Sequence, residues 1–498
     1  MADKYFERSY PEKVGVSSLN IKQFLQEIDN FDLQIRSFLM IRHGKVIAEV
    51  AKYPFVPSDK RLVYSCSKTF TSTAIGFARE EGIVSLDDYV LDYFPEYKNL
   101  NLDERVKKIQ LKHLLTMSTG HGSDSVGKLC NGPREWAKTF FETEMVYEPG
   151  EKFVYDSGGT YIMSEIITRL TGKTLVEYLK PRLFEPLHIN DISWDMHENI
   201  NTGAWGVLIK PEDLAKLGVL YLQNGVFEGK QVLSKEWVKE ATTPHVSTGV
   251  CDDYNWSKGY GYQIWQNNKS GFRADGSFGQ LCMVFPQEDI VIVTTSEDSK
   301  PAYIFPLVEK YLLSNLTEKP FVDMISYGAL KRYMMGWEVP RIFKATESYL
   351  EEIINSTTYK IGFLNKREHD LKLRFTNSNL ILNVDDKQII RSSAVSYNNG
   401  ETNYVFMPPS VSPIIGAQQS GRLWNYSAHH EWITDGVLKL TIWYRETGHK
   451  QEWIICFIDD TIEIVISNSC KRIFGLFSMK SDRNIDFGDI KINGERIK

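Results

Sequence analysis

At 498 residues the chain is longer than one hydrophobic core usually organises, which sets an expectation of two or three domains. Its 42% hydrophobic, 12% aromatic and 24% charged residues exclude extensive disorder. A net charge of -6, from 58 basic and 64 acidic residues, offers no broad attraction to phosphate backbones or anionic lipid, so neither nucleic acid nor membrane is expected as a partner.

The N-terminal stretch MADKYFERSYPEKVGVSSLN has no apolar run behind basic residues, and nowhere does the chain approach 18 continuous apolar residues. The sequence therefore reads as cytoplasmic, without a membrane span. LNIKQFLQEI has apolar residues at helical spacing, and IRSFLMIRHGKVIAEVAKY reads as two strands joined at His43-Gly44-Lys45. Residues 69 to 81 favour a largely buried helix, and LKHLLTMSTG is a short helix ended by glycine. Helical patterns then fill most of residues 100 to 243. Strands return in YGYQIWQN, GQLCMVFPQ and DIVIVTTSE, with a turn at Pro286-Gln287-Glu288-Asp289, and YIFPLVEKYLLSNL closes the domain as a helix.

This order predicts an α+β fold. Residues 1–318 form an antiparallel sheet, assembled from both ends of the domain and flanked by helices, with a largely helical insert. A linker with a short helix covers 319–355, and an antiparallel β-rich accessory domain covers 356–498. Six cysteines, Cys66, Cys130, Cys251, Cys282, Cys456 and Cys470, are widely spread with no CxxC and no His/Cys cluster at metal-ligand spacing. They read as reduced and packed, and no metal or organic cofactor is expected.

The chemistry is concentrated in RLVYSCSKTFTSTAIG, where Ser65 and Lys68 lie one helical turn apart on one face. A serine hydroxyl needs a base to take its proton, and a desolvated lysine serves if it is kept neutral. Alone, Ser-x-x-Lys is weak, expected about once per couple of hundred residues. Its surroundings sharpen it. YSCSKTFTSTAIG, LMIRHGKVIAE, SLDDYVLDYFPEY, LKHLLTMSTGH and EPGEKFVYDSGGTYIMSEIITRLTG together resemble the serine β-lactamase and penicillin-binding-protein superfamily, in its class C β-lactamase-like branch of esterases, D-amino-acid peptidases and amidases. The resemblance covers roughly residues 10 to 316.

The resemblance implies that Ser65 is the acyl-accepting nucleophile and Lys68 its partner in proton transfer. The family's Tyr-x-Asn motif falls on Tyr155-Asp156-Ser157, with serine where asparagine is usual. A phenol held near an ammonium is expected to be acidified, so Tyr155 is expected to act as base toward Ser65 and acid toward the leaving group. The third motif falls on Ala274-Asp275-Gly276, and the resemblance implies an oxyanion hole made of the backbone N–H groups of Ser65 and Ser277. Ala274 stands where β-lactamases carry a lysine for the drug's carboxylate, so weak or no β-lactamase activity is expected. Arg273 points to the opposite strand face by alternation. Asp156, Ser157, Ala274, Asp275, Gly276, His121 and Trp205 are expected to line the substrate pocket, with Asp156 and Asp275 as amine contacts. His113 reads as a helix residue bonding backbone, and Gly158-Gly159 lacks the context of a phosphate loop.

The expected function is that of a serine hydrolase cleaving an ester or amide of a small molecule or short peptide through an acyl-enzyme on Ser65. The alternatives are a D-amino-acid peptidase or carboxypeptidase acting on peptidoglycan-derived fragments, and a binding or acylated-sensor module that does not turn over.

Overall fold

Strand-forming residues at both ends of the first domain meet in one sheet. In the computed structural model, residues 5–249, 254–298, 300–362, 368–403, 423–469, 472–473, 485–486 and 490–496 are described; Cys251 and Cys470 lie outside them. Among these residues, contacts divide the chain into two units, one drawn from 5–51 and 60–335, the other from 52–59 and from 336 onward.

The first unit opens with β1 (Glu7–Arg8), α1 (Ser18–Asn30), β2 (Ile35–Arg42) and β3 (Lys45–Ala51). Ile21, Phe24, Leu25 and Ile28 on α1 recur at helical spacing and are buried. The β2–β3 hairpin pairs Arg42 with Lys45, and its two turn residues, His43 and Gly44, take φ of 49° and 69°, the left-handed pair that a two-residue hairpin requires. The chain then runs through α2 (Ser67–Glu80), α3 (Ser157–Thr171) and α4 (Pro211–Leu222), with shorter helices such as Leu111–Leu115, Val126–Asn131 and Trp136–Phe141 between them. It returns as β4 (Trp265–Gln266), β5 (Phe272–Gly276), β6 (Gln280–Phe285) and β7 (Ile290–Ser296).

The strand order is β1-β3-β2-β7-β6-β5-β4, antiparallel throughout except at β1–β3. Every residue of β2, β6 and β7 is buried, the mark of a sheet covered on both faces. A continuous core links the sheet to the helices through residues such as Ile41, Phe70, Leu114, Ile162, Leu214 and Val291.

The segment read as a linker carries a longer helix than expected, α5 (Met324–Glu338), followed by α6 (Glu351–Asn355). Ten strands of one sheet follow among the described residues: β8 (Tyr359–Gly362), β9 (Glu368–Thr376), β10 (Asn379–Val384), β11 (Lys387–Ser393), β12 (Asn398–Thr402), β13 (Trp424–Thr434), β14 (Val437–Tyr444), β15 (Lys450–Ile458), β16 (Thr461–Asn468) and β17 (Ile490–Arg496). Their order is β11-β10-β9-β8-β17-β16-β15-β14-β13-β12, and a further β11–β13 pairing closes the sheet into a barrel-like form. Alternation sets the faces: along β16, Ile462, Ile464 and Ile466 enter a core that also holds Leu440, Trp453 and Ile455. Among the described residues, no helix is long and apolar enough to cross a membrane.

Candidate active site

Ser65 lies in the 3-10 turn Tyr64–Cys66, which leads straight into α2. Between residues 61 and 78 it alone is not buried. The residue before it, Tyr64, holds φ at 45°, a left-handed conformation costly for a bulky side chain and of a kind concentrated at functional sites. Ser67 ties the turn down, its hydroxyl donating to Tyr64 O at 2.6 Å and accepting from Val207 N at 3.1 Å.

One turn along α2, the buried Lys68 ammonium nitrogen reaches Ser65 Oγ at 3.0 Å, Ser157 Oγ at 3.2 Å and Ala204 O at 3.0 Å. It lies 4.8 Å from the centre of the Tyr155 ring. Burial lowers Lys68 most strongly, Asp124 and Asp156 partly offset this, and the amine titrates at about 7. It is therefore available as a base near neutral pH.

Tyr155 is half-buried, stacked 5.9 Å from Trp265, with its hydroxyl hydrogen-bonded to Ser65. The expected acidification does not occur. Burial pushes the phenol well above its ordinary value, and the bond with Ser65 opposes this only in part, so Tyr155 rests as a neutral phenol and Lys68 is the better base.

The end of β5 closes the site. A Cβ on Gly276 would lie 2.3 Å from Val63 O and 3.3 Å from Cys66 N, so only glycine lets this edge pack against the turn that holds Ser65. Beyond it, Phe278 takes φ of 67° and its ring meets Tyr64 at 5.3 Å. Left-handed residues thus flank both segments that carry the backbone N–H groups of Ser65 and Ser277. Cys66 fills space behind them, donating from Sγ to Gln280 O at 3.2 Å, and burial pushes its thiol well up.

Several expected pocket residues prove to be occupied elsewhere. Asp156 is fully buried as the N-cap of α3, accepting from Gly158 N (3.0 Å), Ser125 N (3.0 Å) and Ser125 Oγ (2.6 Å), with His121 Nδ1 at 2.8 Å. Burial alone would raise this carboxyl, but His121 and Ser125 bring it below its ordinary value. His121 is fully buried too, its ring edge-on to Phe140 at 4.7 Å. Neither side chain presents a surface to a substrate, which corrects the expectation that they line the pocket and that Asp156 meets an amine.

Asp275 accepts from Arg273 Nε and Trp256 Nε1, both at 2.9 Å. Arg273 and Asp275 thus share one face of β5, with Ala274 on the other, as alternation predicts. The pairing corrects the expectation of Asp275 as an amine contact. Trp205 follows the Ala204 carbonyl that holds Lys68 and packs its buried ring 5.9 Å from Trp136. His113 accepts from Gln110 N at 3.0 Å within a helix cap, and burial lowers it to about 4.

Sequence reasoning missed Asp124. Its carboxylate accepts from Ser157 N (2.9 Å), Ser157 Oγ (3.1 Å) and Val126 N (3.0 Å), one hydroxyl away from Lys68. Nothing local in GHGSDSVGK marks it, because Asp124 precedes its partner by 33 residues.

The sequence profile of the family described as Beta-lactamase matches residues 36–308. A 6-aminohexanoate-dimer hydrolase of Paenarthrobacter ureafaciens is 25% identical over 295 residues, covering 53% of this chain and 73% of the relative. Protein flp of Staphylococcus aureus (strain MRSA252) is 27% identical over 198 residues, 35% of this chain and 40% of its own length. Among solved structures, a Bacillus anthracis protein named as a candidate 6-aminohexanoate-dimer hydrolase aligns with a TM-score of 0.53 at 21% identity, covering 66% of this chain and 88% of that one; at this identity the likeness speaks to the fold alone. With more than half the chain matched and a serine, a lysine and a tyrosine brought together at its Ser-x-x-Lys turn, the chain belongs to the Beta-lactamase family, and its first unit has the fold of that family's serine hydrolases.

Proposed function

We propose that the protein hydrolyses an ester or amide bond of a small substrate through an acyl-enzyme on Ser65. The observation that carries this reading is the 3.0 Å contact between Ser65 Oγ and a lysine amine that titrates near neutral pH. Ser65 Oγ attacks the substrate carbonyl carbon as its proton passes to Lys68 Nζ. The oxyanion faces the N–H groups of Ser65 and Ser277. As the tetrahedral intermediate collapses, the C–O or C–N bond breaks, and the leaving group takes the Tyr155 proton, which Lys68 replaces. Water then attacks the ester by the same steps in reverse.

The charge around the site disfavours a substrate with a carboxylate near the scissile bond. Lys68 is bonded to Ser65, Ser157 and Ala204, and Arg273 is bonded to Asp275, so neither is presented to a substrate carboxylate. A relative is named as a 6-aminohexanoate-dimer hydrolase, which is in keeping with a small substrate. A small ester, amide or short peptide as partner, with neither nucleic acid nor membrane, and a cytoplasmic setting belong to the same proposal.

Intact-mass spectrometry after timed exposure to p-nitrophenyl acetate, a D-alanyl peptide ester and a penicillin, with product release followed in parallel, tests it. Transient adducts that need Ser65 and accompany turnover are expected with the ester substrates. Stable adducts without turnover would favour an acylated sensor instead, and undiminished labelling of Ser65→Ala would remove Ser65 as nucleophile.

A further inference from the structure

A fully buried carboxyl, Asp156, and a half-buried one, Asp124, interact behind the catalytic lysine, and the fold treats them differently. Asp156 receives four polar contacts, from Ser125 N, Ser125 Oγ, Gly158 N and His121, and is held ionised. Asp124 receives three, two of them from Ser157. Its carboxyl is pushed well above the ordinary range, first by burial and then by the charge on Asp156, against the pull of Val126 N–H and Lys68. Neighbouring carboxyls driven apart in this way divide into one that stays charged and one that holds a proton.

Ser157 connects Asp124 to the lysine. Its Oγ lies 3.2 Å from Lys68 Nζ and 3.1 Å from Asp124 Oδ2, so one hydroxyl accepts from one side and donates to the other. An asparagine here, as the resemblance to Tyr-x-Asn would have it, would offer no hydroxyl proton to pass on. The other ionisable groups that act on Asp124 or feel it are Asp156, Tyr155 and Cys130, and the latter two are pushed up and remain neutral.

We propose that, at mildly alkaline pH, Lys68 and Asp124 hold a single proton between them, exchanged through the Ser157 hydroxyl, and that it rests on Asp124. In the exchange, an N–H bond of the Lys68 ammonium breaks and its proton joins Ser157 Oγ. The O–H bond of Ser157 breaks in turn and its proton joins Asp124 Oδ2. Lysine keeps the electron pair, the carboxylate supplies the pair for the new O–H bond, and total charge is unchanged. The result is a neutral amine facing Ser65 and a neutral acid behind it. Asp124 is then a positioning residue that acts through Lys68 and does not touch substrate. This rests on the reading of Lys68 as the base for Ser65, but its first test needs no substrate.

Infrared difference spectra of the full-length protein with carboxyl-labelled aspartate, with and without Asp124→Asn, read the proton directly. A protonated-carboxyl band at pH 7.5 that is absent from the variant is expected, and a wild type lacking such a band would overturn the proposal. Ser157→Ala, which keeps Asp124, provides a second assignment should Asp124→Asn not fold: loss of the hydroxyl that accepts from the protonated Asp124 is expected to move the band, and a band that does not move would not belong to Asp124.

Kinetics supply an independent arm. If Asp124 is a neutral acid, Asp124→Asn exchanges one neutral group for another and leaves the acid limb of Ser65 acylation where it is. If Asp124 is instead a carboxylate counter-ion, its removal shifts that limb to lower pH by about one unit or more, which would also overturn the proposal. Failure of Ser65 to acylate at all would count against the hydrolase reading while leaving the infrared test in force.

Discussion

The pH dependence of acylation follows from the burial of one amine. An ordinary lysine, titrating near 10.5, is neutral in about one molecule in a thousand at pH 7.5, whereas Lys68, at about 7, is neutral in roughly three of four. The site thus gains about 700-fold in available base at that pH. If the neutral amine takes the Ser65 proton, as proposed, the burst rate of p-nitrophenol release under single-turnover conditions should rise about tenfold per pH unit below pH 6.5 and level off by about pH 8. Lys68→Arg keeps the positive charge but cannot supply a neutral amine, and should lower the plateau at least 100-fold. Stopped-flow absorbance at fixed ionic strength from pH 5 to 9.5, with circular dichroism to show that the variant is folded, measures both effects. A profile flat across that range, or one still rising at pH 9.5, would refute Lys68 as a base set by burial.

Ser65→Ala should abolish labelling by a fluorophosphonate while leaving the far-ultraviolet spectrum unchanged; stoichiometric labelling of the variant would point to another nucleophile. Gly276→Ala forces a Cβ to within 2.3 Å of the Val63 carbonyl, so the β5 edge must retreat from the oxyanion site. Acylation should fall by about 10²- to 10³-fold, and a rate within threefold of wild type would show that this edge does not shape the site. Replacing Ala274 with lysine, alone or with Ser157→Asn, should speed acylation by penicillin, followed by mass spectrometry, by supplying a cation for the drug's carboxylate. Unchanged rates in both variants would remove the missing lysine as a reason to expect weak β-lactam reactivity.

Acid should also weaken the β-rich unit. His430, bonded through Nδ1 to Ser392 Oγ, is lowered by burial to about 4. The unfolded chain takes up this proton near pH 6.5 and the folded one only near 4, so the stability it contributes is present above pH 6.5 and lost as pH falls toward 4. The loss is about 2 kcal/mol between pH 7.5 and 5. Urea titrations at those two pH values should show it in wild type and a smaller loss in His430→Asn; equal losses would place the effect elsewhere.

What could be read in the sequence was what is local along the chain. Ser65 and Lys68 are one helical turn apart, and the strands of both units announce themselves by period and by turn residues such as His43-Gly44. Even the pairing of Arg273 away from Ala274 follows from alternation alone. What escaped depends on the fold bringing distant residues together. Asp156 and His121 stand beside family motifs and look like pocket residues, yet they are fully buried and meet each other across 35 residues. Asp124 reads as one polar residue in a glycine- and serine-rich turn until α3 sets Ser157 against it. The state of Tyr155 was misjudged for a related reason: proximity to an ammonium is visible in a motif, but the burial that outweighs it is not.

The octet 52–59 ties the order of synthesis to the completion of the second unit. These residues follow β3 directly, six positions before the serine, yet their contacts belong with the β-rich unit. Tyr53 N donates to Trp337 O at 2.8 Å, Phe55 meets Trp443 edge-on at 5.5 Å, and Asp59 pairs with Arg445. A ribosome releases this segment nearly four hundred residues before Arg445 emerges, so its final contacts must wait until Arg445 has been made, whereas domains commonly fold as they appear. The same interleaving means that no single cut separates the two units. A fragment beginning at residue 336 would carry the ten strands without the residues that pack against Trp337, Trp443 and Arg445, and its isolation would test how far a barrel-like sheet stands without a piece made at the other end of the gene.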